Sequence, residues 1–313
     1  MTDRFEISMA PMEGITDWIY RKTFNECYPE SVTKFYTPFL SPGSVKGVGK
    51  KERKEISAEN NAGIFLIPQI LTASPDNFNA AAAAIRDLGY REINLNLGCP
   101  SGTVTAKGKG AAMLSNPYRL EKMLDRIFSA TDMKISIKTR TGYFSRDEFP
   151  ELLSVFNRFP VSELIVHPRT GKEGFKNTPD LEMFSLAAEK SRNPVCYNGD
   201  IRTAEDFENI RNRFPGISRF MIGRGLIADP FLASEIRGRN RMPGQTGQFH
   251  DRLLKAYLED FKNTDHVLMR MKEIWSYMIA MFPGEEKAYR ELRKTGSLEI
   301  YRVEAEKILR SVG

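Results

Sequence analysis

Eight short apolar runs, most of them followed by an amphipathic helical pattern, constrain the fold of this chain more than any other feature. The runs fall at 7–9, 32–36, 64–70, 92–96, 134–138, 163–167, 194–198 and 218–222. Helical patterns are expected over 17–27, 75–88, 117–128, 147–159, 181–190 and 203–214. The last shows the logic. Thr203 and Asp206 make a capping-box start, and Phe207, Ile210 and Phe214 then recur on one face. Eight strands alternating with helices predict an α/β fold, a (β/α)8 barrel. The long basic segment 34–61 between strands two and three is expected to run over the barrel mouth.

The chain has 313 residues, 41% of them hydrophobic, enough for a barrel with a small appendage. Segment 242–248 reads as a linker by its Pro and Gly content. Beyond it the pattern is wholly helical, at 250–261, 265–281, 285–294 and 297–309, with Ser297 as an N-cap. The expected division is a catalytic barrel at 1–241 and a small all-helical domain at 242–313. From Arg237 onward there are 15 Lys+Arg against 11 Asp+Glu, a large share of the chain's net charge of +6. Lys46, Lys50, Lys51, Arg53 and Lys54 form a second basic cluster. Both suit solvated surface or a polyanionic partner.

Cys27, Cys99 and Cys196 lie far apart, without CxxC or Cys/His clustering. A disulfide framework and a metal site are therefore not expected. Cys27 and Cys196 fall inside expected elements and read as small core residues. No apolar run is long enough for a membrane span, and the polar N-terminus has no signal-peptide character. A cytoplasmic protein is expected.

In such a barrel the chemistry sits at the C-terminal strand ends. Strand four runs through Asn94 and Asn96 into Gly98-Cys99-Pro100, then a loop rich in Gly and Lys. A thiol held there can be a nucleophile, a metal ligand or a proton donor. The other strand ends add Pro11, Met12 and Glu13, then Gln69, Lys138 and Arg140, then His167 and Arg169. Asn198-Gly199-Asp200 and Gly223-Arg224-Gly225 suit a phosphate site after strands seven and eight. Lys138 and His167 on neighbouring strands suit the electron-rich edge of a flavin, with Gln69 reading its pyrimidine edge. No GxGxxG turn opens a helix, which disfavours a Rossmann-bound cofactor.

At these residues the chain resembles the tRNA-dihydrouridine synthases, most closely the bacterial C-type subfamily. The matching pieces are Ala10-Pro11-Met12-Glu13-Gly14 with Thr16-Asp17, Asn94 to Ser101, and Lys138-Thr139-Arg140. They continue through His167-Pro168-Arg169-Thr170, Asn198-Gly199-Asp200-Ile201 and Met221-Ile222-Gly223-Arg224-Gly225. The resemblance implies an FMN enzyme with NADPH as reductant. The flavin passes hydride to C6 of a tRNA uracil, and Cys99 protonates C5. It implies that Pro11, Met12, Glu13, Gln69, Lys138, His167, Asn198, Gly199, Asp200, Gly223 and Arg224 hold FMN. Asn96, Arg140 and Arg169 would face the uracil or tRNA, and Arg270 and Lys272 the tRNA. A monomer is implied.

Pro168, Tyr197 and Leu97 depart from the family pattern. Tyr197 is expected to crowd the flavin phosphate side and Leu97 to alter the uracil pocket. Three rivals fit parts of the sequence. A flavin-dependent barrel reductase of a small molecule leaves the basic tail unexplained. An RNA-binding protein without activity predicts no flavin. An aldolase-type barrel would use Lys138 as a Schiff base.

Overall fold

In the computed structural model, which describes residues 5–42 and 47–311, the apolar runs form one parallel sheet closed on itself. The strands are β1 (Glu6–Met9), β2 (Lys34–Tyr36), β3 (Leu66–Ile67), β4 (Gln69–Ile70) and β5 (Glu92–Leu97). They continue with β6 (Lys134–Arg140), β7 (Leu164–His167), β8 (Val195–Tyr197) and β9 (Arg219–Ile222). Their order is β3-β2-β1-β9-β8-β7-β6-β5-β4. Two of them, β3 and β4, are halves of one strand broken at Pro68, which has no N–H to give the ladder. The barrel is therefore the expected eight-stranded one.

Strand alternation sorts the side chains into two cores. Ile7, Met9, Phe35, Leu95 and Ile137 join the large apolar layer between strands and helices. Tyr36, Ile67, Ile165, Cys196 and Met221, with Ala10, form a separate plug inside the barrel. Below the plug, the Tyr36 hydroxyl donates to Glu163 at 2.8 Å. Lys34 and Arg219 approach the same carboxylate at 3.2 and 3.5 Å. The floor is thus sealed by paired charge, and the opposite end is left open.

The expected helices of the barrel are all present, and the Thr203–Asp206 capping box forms as read. Short helices at Lys50–Glu55, Gly102–Thr105, Arg224–Ala228 and Leu232–Ile236 were not anticipated. Their few turns carry no readable period. Lys50–Glu55 turns part of the basic excursion into a helix at the mouth. Lys46 of that cluster lies outside the described residues.

After the barrel, helices at Gln245–Asp260, Thr264–Met278, Glu286–Lys294 and Leu298–Arg310 pack onto its side. The first starts at Gln245, inside the expected linker. Its Phe249 ring sits 5.6 Å from Tyr20 and 5.7 Å from Tyr28 on the barrel side. One apolar cluster runs through both parts. Within the helical part, Trp275 Nε1 donates to Tyr301 Oη at 2.9 Å, and His250 Nε2 lies 2.8 Å from the same oxygen. Indole N–H can only donate, so the Tyr301 hydroxyl is free to donate to His250.

Tyr301→Phe removes the shared partner of two buried groups. We expect a loss of about 1–3 kcal/mol of stability by urea unfolding, with the helical content of the folded state unchanged.

Candidate active site at the barrel mouth

Cys99 is fixed by bonds to its backbone neighbours rather than by packing alone. Asn96 Oδ1 accepts from Gly98 N at 3.0 Å and from Cys99 N at 2.9 Å. Arg140 Nε donates to the Gly98 carbonyl at 2.8 Å. Ala111 N donates to the Cys99 carbonyl at 3.0 Å. Gly110 has φ +59°, and a Cβ on it would lie 2.7 Å from the Cys99 oxygen, so the return of the loop admits no side chain there. Burial pushes the Cys99 thiol up, against the pull of the Ser101 amide, Lys138 and Arg140. The thiol is therefore protonated at neutral pH. That suits a proton donor better than a thiolate nucleophile. Among the described residues no group of three or more His, Cys, Asp or Glu is placed to hold a metal ion.

A relay of carboxamides lines the wall beside it. Asn96 Nδ2 donates to Gln69 Oε1 at 2.7 Å, and Gln69 Nε2 to Asn94 Oδ1 at 2.8 Å. Asn94 Nδ2 then donates to Ser136 Oγ at 3.0 Å. These bonds fix which end of each amide faces the mouth. Both Gln69 and Asn96 keep one N–H for a ligand.

Across the mouth, Lys138 is half-buried, and its ammonium has no hydrogen-bond or ion-pair partner among the described residues. Burial first, then Arg140, pushes its pKa down to about 8. Arg169 Nη1 lies 2.9 Å from His167 Nε2. A guanidinium cannot accept, so Nε2 accepts and the His167 proton sits on Nδ1. Burial, then Arg140 and Lys138, holds this imidazole neutral well below its usual range. Asp200 receives Arg169 at 3.0 and 2.6 Å and Arg224 at 2.5 Å. Burial works to raise the Asp200 carboxyl, but Arg169 and Arg224 overturn it and keep it ionised. Asn198 Nδ2 donates to the Met221 carbonyl at 2.8 Å, tying β8 to β9. A Cβ on Gly223 would meet Ala10 Cβ at 3.2 Å and Met12 Sδ at 3.4 Å, so Met12 lies beside that turn.

The structure gathers most of the expected residues here but gives several a supporting place. Arg140 is 1% exposed, with Nη1 on the Thr170 and Gly174 carbonyls at 2.9 and 2.6 Å. Arg169, also 1% exposed, is spent on Asp200, His167 and the Lys176 and Asn177 carbonyls. Neither presents a free guanidinium to a large partner. Lys272 donates to the Thr295 carbonyl, where it caps helix Glu286–Lys294. Arg270 instead lines a cleft of about 660 Å³ between the mouth and the helical part, with Glu13, Asp17, Lys51, Lys54 and His266. Glu13 is exposed at the cleft edge, and partial desolvation there raises its carboxyl against Lys51 and Arg270. Pro11 is half-buried at the start of this edge.

Leu97 does not reach the mouth as expected, whereas the Tyr197 hydroxyl comes up against Gly199. Both are buried in the outer apolar layer, and Tyr197 packs edge-on to Phe184 at 4.8 Å. Its hydroxyl occupies the space that a Cβ on Gly199 would need, 2.0 Å away. Pro168 is buried, and its carbonyl accepts from Asp180 N at 2.7 Å. One rim residue was missed. Phe175 is 54% exposed, with its ring 4.9 Å from the Arg224 guanidinium carbon and 5.4 Å from that of Arg140. Nothing in its local sequence signals this, because the partners come from other strands.

Residues 8–311 match the sequence model of the family described as dihydrouridine synthase. A tRNA-dihydrouridine(16) synthase of Cupriavidus necator is 29% identical over 311 residues, covering 94% of this chain and 95% of the relative. One from Pseudomonas syringae pv. tomato is 31% identical over 237 residues, covering 74% of each chain. Among solved structures, morphinone reductase aligns with a TM-score of 0.53 at 10% identity, over 76% of this chain and 87% of that one. A 2-naphthoyl-CoA reductase complex aligns with a TM-score of 0.55 at 11% identity, over 75% and 50%. At these identities the structural likeness speaks for the barrel alone.

The Lys138 shift fixes a sign. An ordinary lysine in the unfolded chain holds its proton to about pH 10.4, but the folded one releases it near 8. Between those values the unfolded state binds more protons, so stability contributed at this residue rises with pH. Lys138→Met is expected to stabilise the ligand-free protein at pH 7, and to lose that advantage progressively between pH 8 and 10.5. Thermal unfolding of both proteins across this range checks it; parallel curves would show that Lys138 is not strained.

Proposed function

The chain belongs to the dihydrouridine synthase family, and on that premise we propose that it reduces a uridine of tRNA to 5,6-dihydrouridine with FMN and NADPH. The observation that carries the reading is a half-buried, unpartnered Lys138 charge sharing one barrel mouth with a protonated Cys99. Two relatives matched over more than nine-tenths of their length carry position 16 in their names, and we extend that position to this chain.

The donor set at the mouth fits FMN. Lys138 offers an uncompensated cation to an anionic ring edge, and His167 Nδ1–H is a donor with no partner among the described residues. Gln69 has a spare amide N–H. Arg224 and the backbone at Gly199 and Gly223 suit a phosphate, with Asp200 aligning the arginines rather than touching the anion. Pro11, Met12, Glu13 and Asn198 complete the edge. When bound, the flavin supplies hydride to C6 of the uracil. The chain itself does the rest. Cys99 keeps its proton until C5 needs it, because burial disfavours the thiolate. Asn96 holds the Cys99 backbone and has one N–H left for a uracil carbonyl. Arg140 keeps the loop in place through the Gly98 carbonyl.

On this reading residues 1–241 hold the flavin and the target base. Residues 242–313 contribute RNA contacts, with Arg270 in the cleft between. The uridine leaves its stack at a cost of a few kcal/mol to enter the mouth. The enzyme works as a monomer in the cytoplasm, where its substrate is.

The purified protein is expected to be yellow and, with NADPH, to form dihydrouridine at position 16 of tRNA from cells lacking it. Cys99→Ala should keep the flavin and lose roughly 10²–10⁴-fold in turnover. A colourless protein that ignores added FMN, or a Cys99→Ala variant with full turnover, would sink the reading. Mapping by mass spectrometry decides the position.

A further inference from the structure

Beside the mouth stands an aromatic pair, of which Tyr143 packs against the core and Phe144 does not. Tyr143 and Phe144 follow β6, and Phe144 is 62% exposed. The pair is rigidly built. The Glu148 carboxylate accepts from Tyr143 N at 2.6 Å and from Phe144 N at 3.2 Å. Gly171 N donates to the Gly142 carbonyl and Lys172 N to the Tyr143 carbonyl, both at 2.9 Å, zipping this turn to the loop after β7. A Cβ on Gly171 would lie 2.5 Å from the Tyr143 ring and 3.0 Å from Ala111 Cβ. The Tyr143 ring therefore lies against the segment whose Ala111 N–H holds the Cys99 carbonyl. The two rings meet edge-on at 4.6 Å. Lys172 Nζ sits 5.1 and 5.6 Å from their centroids and makes no ion pair among the described residues.

An exposed phenyl ring held still, with a free cation against it, beside a site that takes a nucleobase, matches one kind of occupant. A base offers a π-face to the phenyl ring and a phosphate to the ammonium. A protein partner or a membrane would need a wider apolar patch. Here the ring has Lys172 against it and is followed in the chain by Arg146 and Asp147, with Arg146 already paired to Asp180 and Glu182. We propose that Phe144, with Lys172, is a stacking platform for an unpaired nucleotide adjacent in the RNA to the target uridine. The inference rests on the RNA reading of the mouth and adds a substrate requirement: a second unstacked base beside the one reduced.

The test measures binding of the intact flavoprotein to labelled tRNA from cells lacking it, over a salt series. Phe144→Ser is expected to weaken binding on the order of 10-fold with an unchanged salt slope, because no charge is lost. Phe144→Leu should behave like serine despite its bulk, and Phe144→Trp should bind at least as well as wild type. Lys172→Met should lower the salt slope by about one phosphate contact. An abasic nucleotide at the neighbouring position should erase the difference between wild type and Phe144→Ser. Flavin content should be the same in all. If Phe144→Ser and Phe144→Leu bind like wild type, the platform is wrong. A wild type that holds flavin but neither binds nor reduces tRNA overturns the RNA reading itself.

Discussion

Positive charge is crowded at one end of this barrel and balanced at the other. At the floor, Glu163 meets Lys34, Arg219 and the Tyr36 hydroxyl, so burial is compensated by direct partners. At the mouth, Lys138, Arg140, Arg169 and Arg224 stand with the neutral His167, and Asp200 touches two of the four cations. The consequence is visible in the direction of each shift. Burial and mutual repulsion depress Lys138 to about 8 and Arg140 to about 10. Charge held this way costs folding energy and is retained where an anion is to be bound. The ligand-free fold is thus strained in the electrostatic sense, and binding of an anion at the mouth would relieve it.

The same cations act on the Cys99 thiol. Lys138 and Arg140 both favour a Cys99 thiolate, yet burial outweighs them and the proton stays. Had the thiol been exposed, two neighbouring cations would pull it toward the thiolate, as in nucleophilic cysteines. Position matters equally. Asn96, Arg140 and Ala111 each bind the backbone around Cys99, so the sulfur is carried by a loop fixed at three points. Arg140 belongs to both systems. Its charge adds to the surplus while its Nε grips the Gly98 carbonyl, which couples loop geometry to the electrostatics of the mouth.

The barrel was legible because strand and helix periods are local. The run 92–96 alternates, and the strand it becomes puts Asn94 and Asn96 inside and Leu95 and Leu97 outside. Leu97 was decidable by that parity, and so was Tyr197, one residue from the inward Cys196. Parity cannot tell what a long side chain meets. Arg140 and Arg169 end on carbonyls 30 or so and 7–8 residues away in the chain, and Lys272 ends on Thr295. Only the folded loops bring these acceptors within reach, so sequence places the charge and not its role. Pro68 was visible in the third run, but whether a proline merely interrupts a strand or ends it depends on the neighbours that hold the two halves. The short helices at the rim escaped for the opposite reason, since a single turn has no period to read.

Asp17 decides whether the cleft beside the mouth has a fixed shape. Its Oδ1 caps the helix Trp18–Cys27 by accepting from Tyr20 N at 3.0 Å, and the same oxygen receives the Tyr257 hydroxyl at 3.0 Å. Arg270 Nε lies 3.6 Å from its other oxygen. One carboxylate therefore joins the loop after β1 to two helices of the C-terminal part. Burial raises it, and the Tyr20 amide, Arg270 and Tyr257 act against that rise. The joint is backed by Phe249 packed on Tyr20, Phe24 and Tyr28, an aromatic contact too large to open without exposing core. A barrel and a helical part that share one core and one half-buried carboxylate cannot hinge freely. The cleft is a preformed surface, so an RNA that docks there meets fixed positions for Arg270 and Lys51, and the adjustment falls on the RNA.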